Sequence, residues 1–122
     1  MFLLTSTLFE PFCIIYCRSL YCFGYNKANE LGFNFNTNVL TPTINEAIKN
    51  IQFIASGYSH TLALTESGSV IAWGSNGYGQ LGRSDSKSFA VETIPFNEEI
   101  KGIACGCNSS YAISVNGILY SW

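Results

Sequence analysis

The sequence predicts an all-β chain built as an array of repeated units, each made of short antiparallel strands, of the propeller or solenoid type. Three observations carry this. Leu20-Tyr21-Cys22-Phe23-Gly24 leads to Asn29-Glu30-Leu31-Gly32 and then to Gly57-Tyr58-Ser59-His60-Thr61-Leu62-Ala63-Leu64; Val70-Ile71-Ala72-Trp73-Gly74 leads to Gly79-Gln80-Leu81-Gly82 and then to Gly106-Cys107-Asn108-Ser109-Ser110-Tyr111-Ala112-Ile113. The offset is 50 residues from Gly24 to Gly74 and from Gly32 to Gly82, and 49 from Gly57 to Gly106 and from Gly68 to Gly117. A fixed period of this size marks a stacked array. Composition agrees: 48% of residues are hydrophobic and only 11% charged, far from a disordered chain.

Taken in order, residues 1–19 form an apolar segment that reads as a degenerate earlier repeat. Shifting Leu62 and Leu64 back by 50 reaches Phe12 and Ile14, with Thr7 where Gly57 would stand. Glu10-Pro11 breaks the apolar run, which lacks a basic start and a cleavage site, so it is neither a signal peptide nor a membrane anchor. Residues 20–69 are the first repeat and 70–118 the second, and 119–122 open a further one. The chain stops one residue short of the glycine that follows Phe23 and Trp73, which predicts an incomplete array. Strands are expected over 51–56, 60–65 and 69–73, with counterparts at 100–105, 109–115 and 118–122. Alternation puts Leu62 and Leu64 on one face and small Ala63 on the other, matched by Tyr111, Ile113 and Ala112. Such a sheet is stacked on both sides. Glu66-Ser67-Gly68 and Val115-Asn116-Gly117 read as tight hairpin turns. Residues 33–50 and 83–99 read as long connections, the first with at most one helical turn at 43–48. The strand that opens each copy ends in an aromatic, Phe23, Trp73 or Trp122, whose ring is expected to pack on a neighbouring sheet.

Chemistry-bearing signals are sparse. The net charge is −2 without any Lys/Arg cluster, so no nucleic-acid stripe is evident. Five cysteines, Cys13, Cys17, Cys22, Cys105 and Cys107, share no equivalent repeat positions, which argues against a disulfide framework. Their spacing and the single His60 do not make a zinc site. Gly77-Tyr78-Gly79-Gln80-Leu81-Gly82 satisfies a dinucleotide fingerprint. That loop requires a helix to follow, yet residues 83–88 have no helical period and the other copy carries Lys27 and Asn29 in place of the first two glycines. The motif is therefore read as a structural turn, with Asn29 replacing Gly79 because asparagine tolerates left-handed backbone. His60 is read as a hydrogen-bonding residue at a strand start, and Glu98-Glu99 as a solvated rim. The sequon Asn108-Ser109-Ser110 matters only in a secreted protein, and no other feature argues for secretion. No cofactor, metal or membrane partner is expected, and the location is expected to be intracellular, cytoplasmic or nuclear.

Trp73-Gly74-Ser75-Asn76-Gly77-Tyr78-Gly79-Gln80-Leu81-Gly82 resembles the W-G-x-N-x-x-G-Q-L-G signature of the regulator of chromosome condensation repeat family. Residues 57–64 resemble its second signature, G-x-x-H-[ST]-x-x-L. Phe23 replaces Trp, Asn29 replaces Gly and Ser109 replaces His in the other copies. The resemblance covers residues 20–122. It implies a partial β-propeller of about two four-stranded antiparallel blades, from a seven-bladed array whose blades are offset from the sequence repeat. It also implies a non-catalytic protein-interaction module, or alternatively part of a guanine-nucleotide exchange factor for a Ran-type small GTPase. Gly24, Leu31, Gly32, Gly57, His60, Gly68, Trp73, Gly74, Gly79, Gln80, Leu81, Gly82, Gly106, Gly117 and Trp122 are then structural repeat positions rather than catalytic ones. Open sheet edges in an incomplete array predict self-association.

Overall fold

A computed structural model describes residues 11–84 and 90–122. Thr7 and residues 85–88, used in the reading above, lie outside this range. Ten strands run in chain order: β1 (Pro11–Tyr16), β2 (Ser19–Gly24), β3 (Val39–Lys49), β4 (Ile51–Ser56), β5 (His60–Thr65), β6 (Val70–Gly74), β7 (Glu92–Ile94), β8 (Ile100–Cys105), β9 (Ser110–Ser114) and β10 (Leu119–Ser121). They form three antiparallel sheets: β1-β2-β3, β4-β5-β6-β7 and β8-β9-β10.

The middle sheet is covered on both faces, as its alternation requires. Ala63 and Trp73 join Leu20, Cys22, Leu31, Ile48 and Ile51 in a cluster shared with the first sheet. Leu62, Leu64, Val70 and Ala72 join Leu81, Ile100 and Ala112 in a cluster shared with the third. Period-two patterning thus sends the large residues one way and the small alanine the other, where the sheets approach closely. The sheets stack face to face, like the blades of a fan. Two hairpins turn on a glycine with positive φ, Gly68 at 82° between β5 and β6 and Gly117 at 85° between β9 and β10, whereas β1 and β2 turn on Cys17 and Arg18 at 49° and 66°. A bulge recurs at the same place in β4 and β8, between Ile51 and Phe53 and between Ile100 and Gly102. Such an extra residue increases the local twist.

Among the described residues one four-stranded sheet is flanked by two three-stranded ones, the expected partial array of antiparallel blades. The first sheet draws its strands from before and after residue 20, so blades and sequence repeats are out of phase, as the resemblance implies. Four other expectations change. Residues 33–50 are not one long connection, because β3 occupies most of them. The helical turn at 43–48 is absent. Tyr21 pairs with Ile44 and Ser19 with Lys49, leaving a bulge between them. Within that bulge the Asn45 amide donates to the carbonyls of Leu31 and Gly32 at 3.2 and 2.9 Å, and Ile48 drops into the core. The apolar spacing that imitated a helix comes from this irregularity. Residues 83–99 likewise contain a strand, β7, on the edge of the middle sheet. Finally, Pro11 pairs with Gly24 as His60 pairs with Gly74. Cys13 and Ile15, not Phe12 and Ile14, therefore match Leu62 and Leu64, and it is Cys13 and Ile15 that face the core.

Candidate functional site

The signature turns build one end of the molecule. In the turn after β6, the Asn76 side chain accepts from the Leu81 N–H at 2.9 Å and donates to the Arg83 carbonyl at 2.8 Å. The Gln80 Oε1 accepts from the Tyr78 N–H at 2.8 Å. The turn after β2 repeats this arrangement: Asn26 accepts from Leu31 at 3.1 Å, and Glu30 Oε2 accepts from Ala28 at 2.9 Å. Gly79 and Gly82 have φ of 80° and 68°, and Asn29 and Gly32 have 60° and 70°. Asn29 thus occupies the left-handed position that glycine takes in the other copy. The apparent dinucleotide motif is this pair of consecutive turns.

One main-chain carbonyl in each turn ties it to the next sheet. The Glu30 carbonyl accepts from the Thr61 hydroxyl at 3.0 Å and the Trp73 indole at 2.7 Å. The Gln80 carbonyl accepts from the Ser110 hydroxyl at 2.6 Å and the Trp122 indole at 2.9 Å. Gly32 and Gly82 lie flat against these indoles, and a Cβ at either would stand 3.1 Å from ring atoms. Trp73 and Trp122 therefore pack on the preceding sheet; Phe23 has no indole N–H, and its ring meets Phe12 of its own sheet at 5.4 Å. Leu31 and Leu81 fill the two clusters beneath the turns.

His60 opens β5 and is buried, with Nε2 3.0 Å from the Ser110 Oγ. Since that hydroxyl donates to Gln80, His60 must donate from Nε2. Burial pushes its pKa below the usual 6.5. Gly57 leaves room for the imidazole, which a Cβ would strike. Gly106 stands at the equivalent place beside Ser109, where a Cβ would lie 2.5 Å from the hydroxyl. Gly74 has φ of 102°, with a Cβ position 2.5 Å from the Ser59 carbonyl. Gly24 has φ of 105°. Glu98 is not simply solvated: it accepts weakly from Asn116 and the Tyr120 hydroxyl, at 3.4 and 3.5 Å.

At the signature end the loops of the three sheets converge. Ser75 N–H donates to the Ser59 carbonyl at 2.7 Å, and Tyr58 N–H to the Cys107 carbonyl at 2.9 Å. Between them lies an open cavity of about 850 Å³, bounded by Pro11, Tyr25 and Glu30, by residues 56–59 and by residues 105–107. Tyr58 and, beyond the cavity, Tyr78 project into solvent with 79% and 77% of their surface exposed. Among the described residues Glu30 is the one carboxylate of the lining, and burial raises its pKa above the ordinary 4.5. Burial also pushes the Cys105 thiol up to about 11, so it stays protonated at neutral pH. That is not a nucleophile's environment. All five cysteines are free. Among the described residues no group of three or more His, Cys, Asp or Glu side chains gathers to hold a metal. No helix among them is long and apolar enough to cross a membrane. The sequence reading singled out the turn residues and missed the cavity, whose Tyr25, Glu30 and Tyr58 differ between the two copies. That difference was the available signal.

The profile of the Regulator of chromosome condensation (RCC1) repeat matches residues 19–64 and again 67–113. The chain is 39% identical over 108 residues to the Rho GTPase-activating protein gacGG of Dictyostelium discoideum, covering 84% of this chain and 8% of that protein. It is 36% identical over 111 residues to the X-linked retinitis pigmentosa GTPase regulator of Canis lupus familiaris, covering 86% of this chain and 11% of that protein. It superposes on Prp20p of Saccharomyces cerevisiae with a TM-score of 0.78 and 28% identity, over 93% of this chain and 28% of that one. The Prp20p structure was described together with its binding to Gsp1p and histones. The chain thus spans a small part of each protein it matches, and its three sheets are part of a β-propeller. Two matched copies of the repeat, with their turns built alike and locked alike onto the next sheet, make this chain a member of the regulator of chromosome condensation (RCC1) repeat family.

Proposed function

We propose that the chain is a non-catalytic protein-interaction module, and that its partner docks on the signature-turn end. The observation that carries this is the pair of exposed tyrosines, Tyr58 and Tyr78. Their repeat equivalents are Cys107 and Ala28, so the fold needs neither ring. Exposed aromatic residues on a rim with few charges suit a protein contact, where tyrosine is enriched. The repeat frame 20–69, 70–118 and 119–122 belongs to this reading, with the repeated glycines, His60 and the tryptophans serving the fold. An intracellular location, cytoplasmic or nuclear, is supported by five free thiols. For these 122 residues in isolation, self-association through open sheet edges is also part of it.

The test is site-specific photo-crosslinking in cell extract. Probes at Tyr58 and Tyr78 should capture one discrete partner, and a probe at Asn116, on the opposite hairpin, should not. Equal or stronger capture from Asn116 would refute the placement. The second reading, a piece of an exchange factor for a Ran-type GTPase, is favoured by the 28% identity to Prp20p, described with Gsp1p binding. Accelerated release of labelled GDP from such a GTPase on adding the chain would support it.

A further inference from the structure

The two copies serve as an internal control for what the fold requires. Where they agree, packing explains the residue. Where they differ, the fold has accepted two solutions. Three such differences meet at the cavity of about 850 Å³: Tyr25 stands for Ser75, Glu30 for Gln80 and Tyr58 for Cys107. Two aromatic rings are gained and one neutral amide becomes a carboxylate. Among the described residues no Lys, Arg or His lines the cavity. We propose that this cavity receives the cationic end of a lysine or arginine side chain carried by the protein partner, a proposal that rests on the interaction reading above.

The chemistry is consistent from each wall. Tyrosine faces attract cations through the ring quadrupole, and Tyr25 already draws one, with the Lys27 Nζ 6.0 Å from its ring centroid. Glu30 is fixed in the floor of the cavity by the Ala28 N–H, and only 1% of its surface is exposed. A partner side chain that fills the open cavity displaces the water that screens this charge, and the field between them is then screened less than in water. A cation in the cavity offsets the cost of keeping that carboxylate ionised. The Cys105 thiol, held protonated, adds no competing charge. The loops of all three sheets contribute, so the site exists only when the sheets are stacked.

The experiment titrates the full chain, immobilised at low density, with peptides of the form acetyl-Gly-Gly-X-Gly-Gly-amide, where X is Lys, Arg, norleucine or Glu. Lys and Arg peptides should bind with dissociation constants on the order of 1 mM, norleucine at least tenfold more weakly, and Glu not at all. Glu30→Gln copies the residue that the fold already accepts at Gln80, so it keeps the turn; it should weaken the Lys peptide at least fivefold and leave norleucine unchanged. Tyr58→Ala should do the same, while Asn116→Ala, exposed on the opposite hairpin, should not. Norleucine binding as well as Lys, indifference of the Lys peptide to Glu30→Gln, or no binding by any peptide would overturn the proposal. Crosslinking of a partner at Tyr58 or Tyr78 despite such a result would leave the interaction reading standing. Absence of any crosslinked partner would remove that reading by itself.

Discussion

Replacing Trp73 separates the hydrogen bond from the packing at the lock between the first two sheets. Its side chain is fully buried in the shared cluster and its indole N–H donates to the Glu30 carbonyl at 2.7 Å. Trp73→Ala removes the whole ring and leaves a cavity, at a cost of roughly 3–5 kcal/mol. Trp73→Phe keeps most of the apolar volume and loses the donor. The Glu30 carbonyl still accepts from Thr61 at 3.0 Å, so it is not orphaned, and the added cost is about 1 kcal/mol beyond the smaller ring. Trp122 makes the same bond to Gln80 but is only partly buried, so Trp122→Ala should cost less than Trp73→Ala. Urea-dependent pulse proteolysis at one fixed protein concentration measures all three without relying on tryptophan fluorescence. An unchanged midpoint for Trp73→Ala, or a loss for Trp122→Ala as large as that for Trp73→Ala, would refute the reasoning.

Three further outcomes follow from the same geometry. Glu30→Gln should stabilise the chain at neutral pH. Burial raises the carboxyl's folded pKa, so its contribution is greatest below about pH 4.5 and is lost as pH rises; the midpoint gap between variant and wild type should widen from pH 4.5 to 7 and would argue against the burial if it stayed constant. His60 has a folded pKa below 6.5, so the stability it lends is complete above that value and declines as pH falls through it; wild type should lose more midpoint than His60→Asn between pH 7 and 5.5, and parallel profiles would count against this. Gly79→Ala meets no atom within 4 Å and should cost only the left-handed backbone, about 1–2 kcal/mol, whereas Gly74→Ala also meets the Ser59 carbonyl and should cost more; equal melting shifts would contradict the geometry.

Strands β4, β5 and β8 were legible because each is bounded by turn residues and its alternation is plain. Leu62, Ala63 and Leu64 named both faces of the middle sheet before any coordinate did. β3 was not legible. Its apolar residues Ile44, Ala47 and Ile48 fall at helical spacing, and pairing with β2 together with the Asn45 amide's bonds to Leu31 and Gly32, all partners distant in sequence, holds it extended. β7 is three residues on an edge, too short for a period to register. The signature turns were readable at residue level, since two copies spell them. The cavity was not, because its walls come from three sheets and no stretch of sequence contains it. Comparing the copies for their differences rather than their agreements would have pointed to Tyr25, Glu30 and Tyr58.

The doubly accepted carbonyl of Glu30, and that of Gln80 after it, gives the array a direction. In each joint the acceptor belongs to the earlier sheet and both donors to the later one. Two units stacked in the opposite order would leave the carbonyl facing no hydroxyl and no indole. The middle sheet carries both halves, the Gln80 carbonyl for its successor and the Thr61 hydroxyl and Trp73 indole for its predecessor, so a tandem copy of it brings its own joint with it. Such a chain can lengthen by whole units without inventing a contact, and each new copy is then free to change where the joint is not.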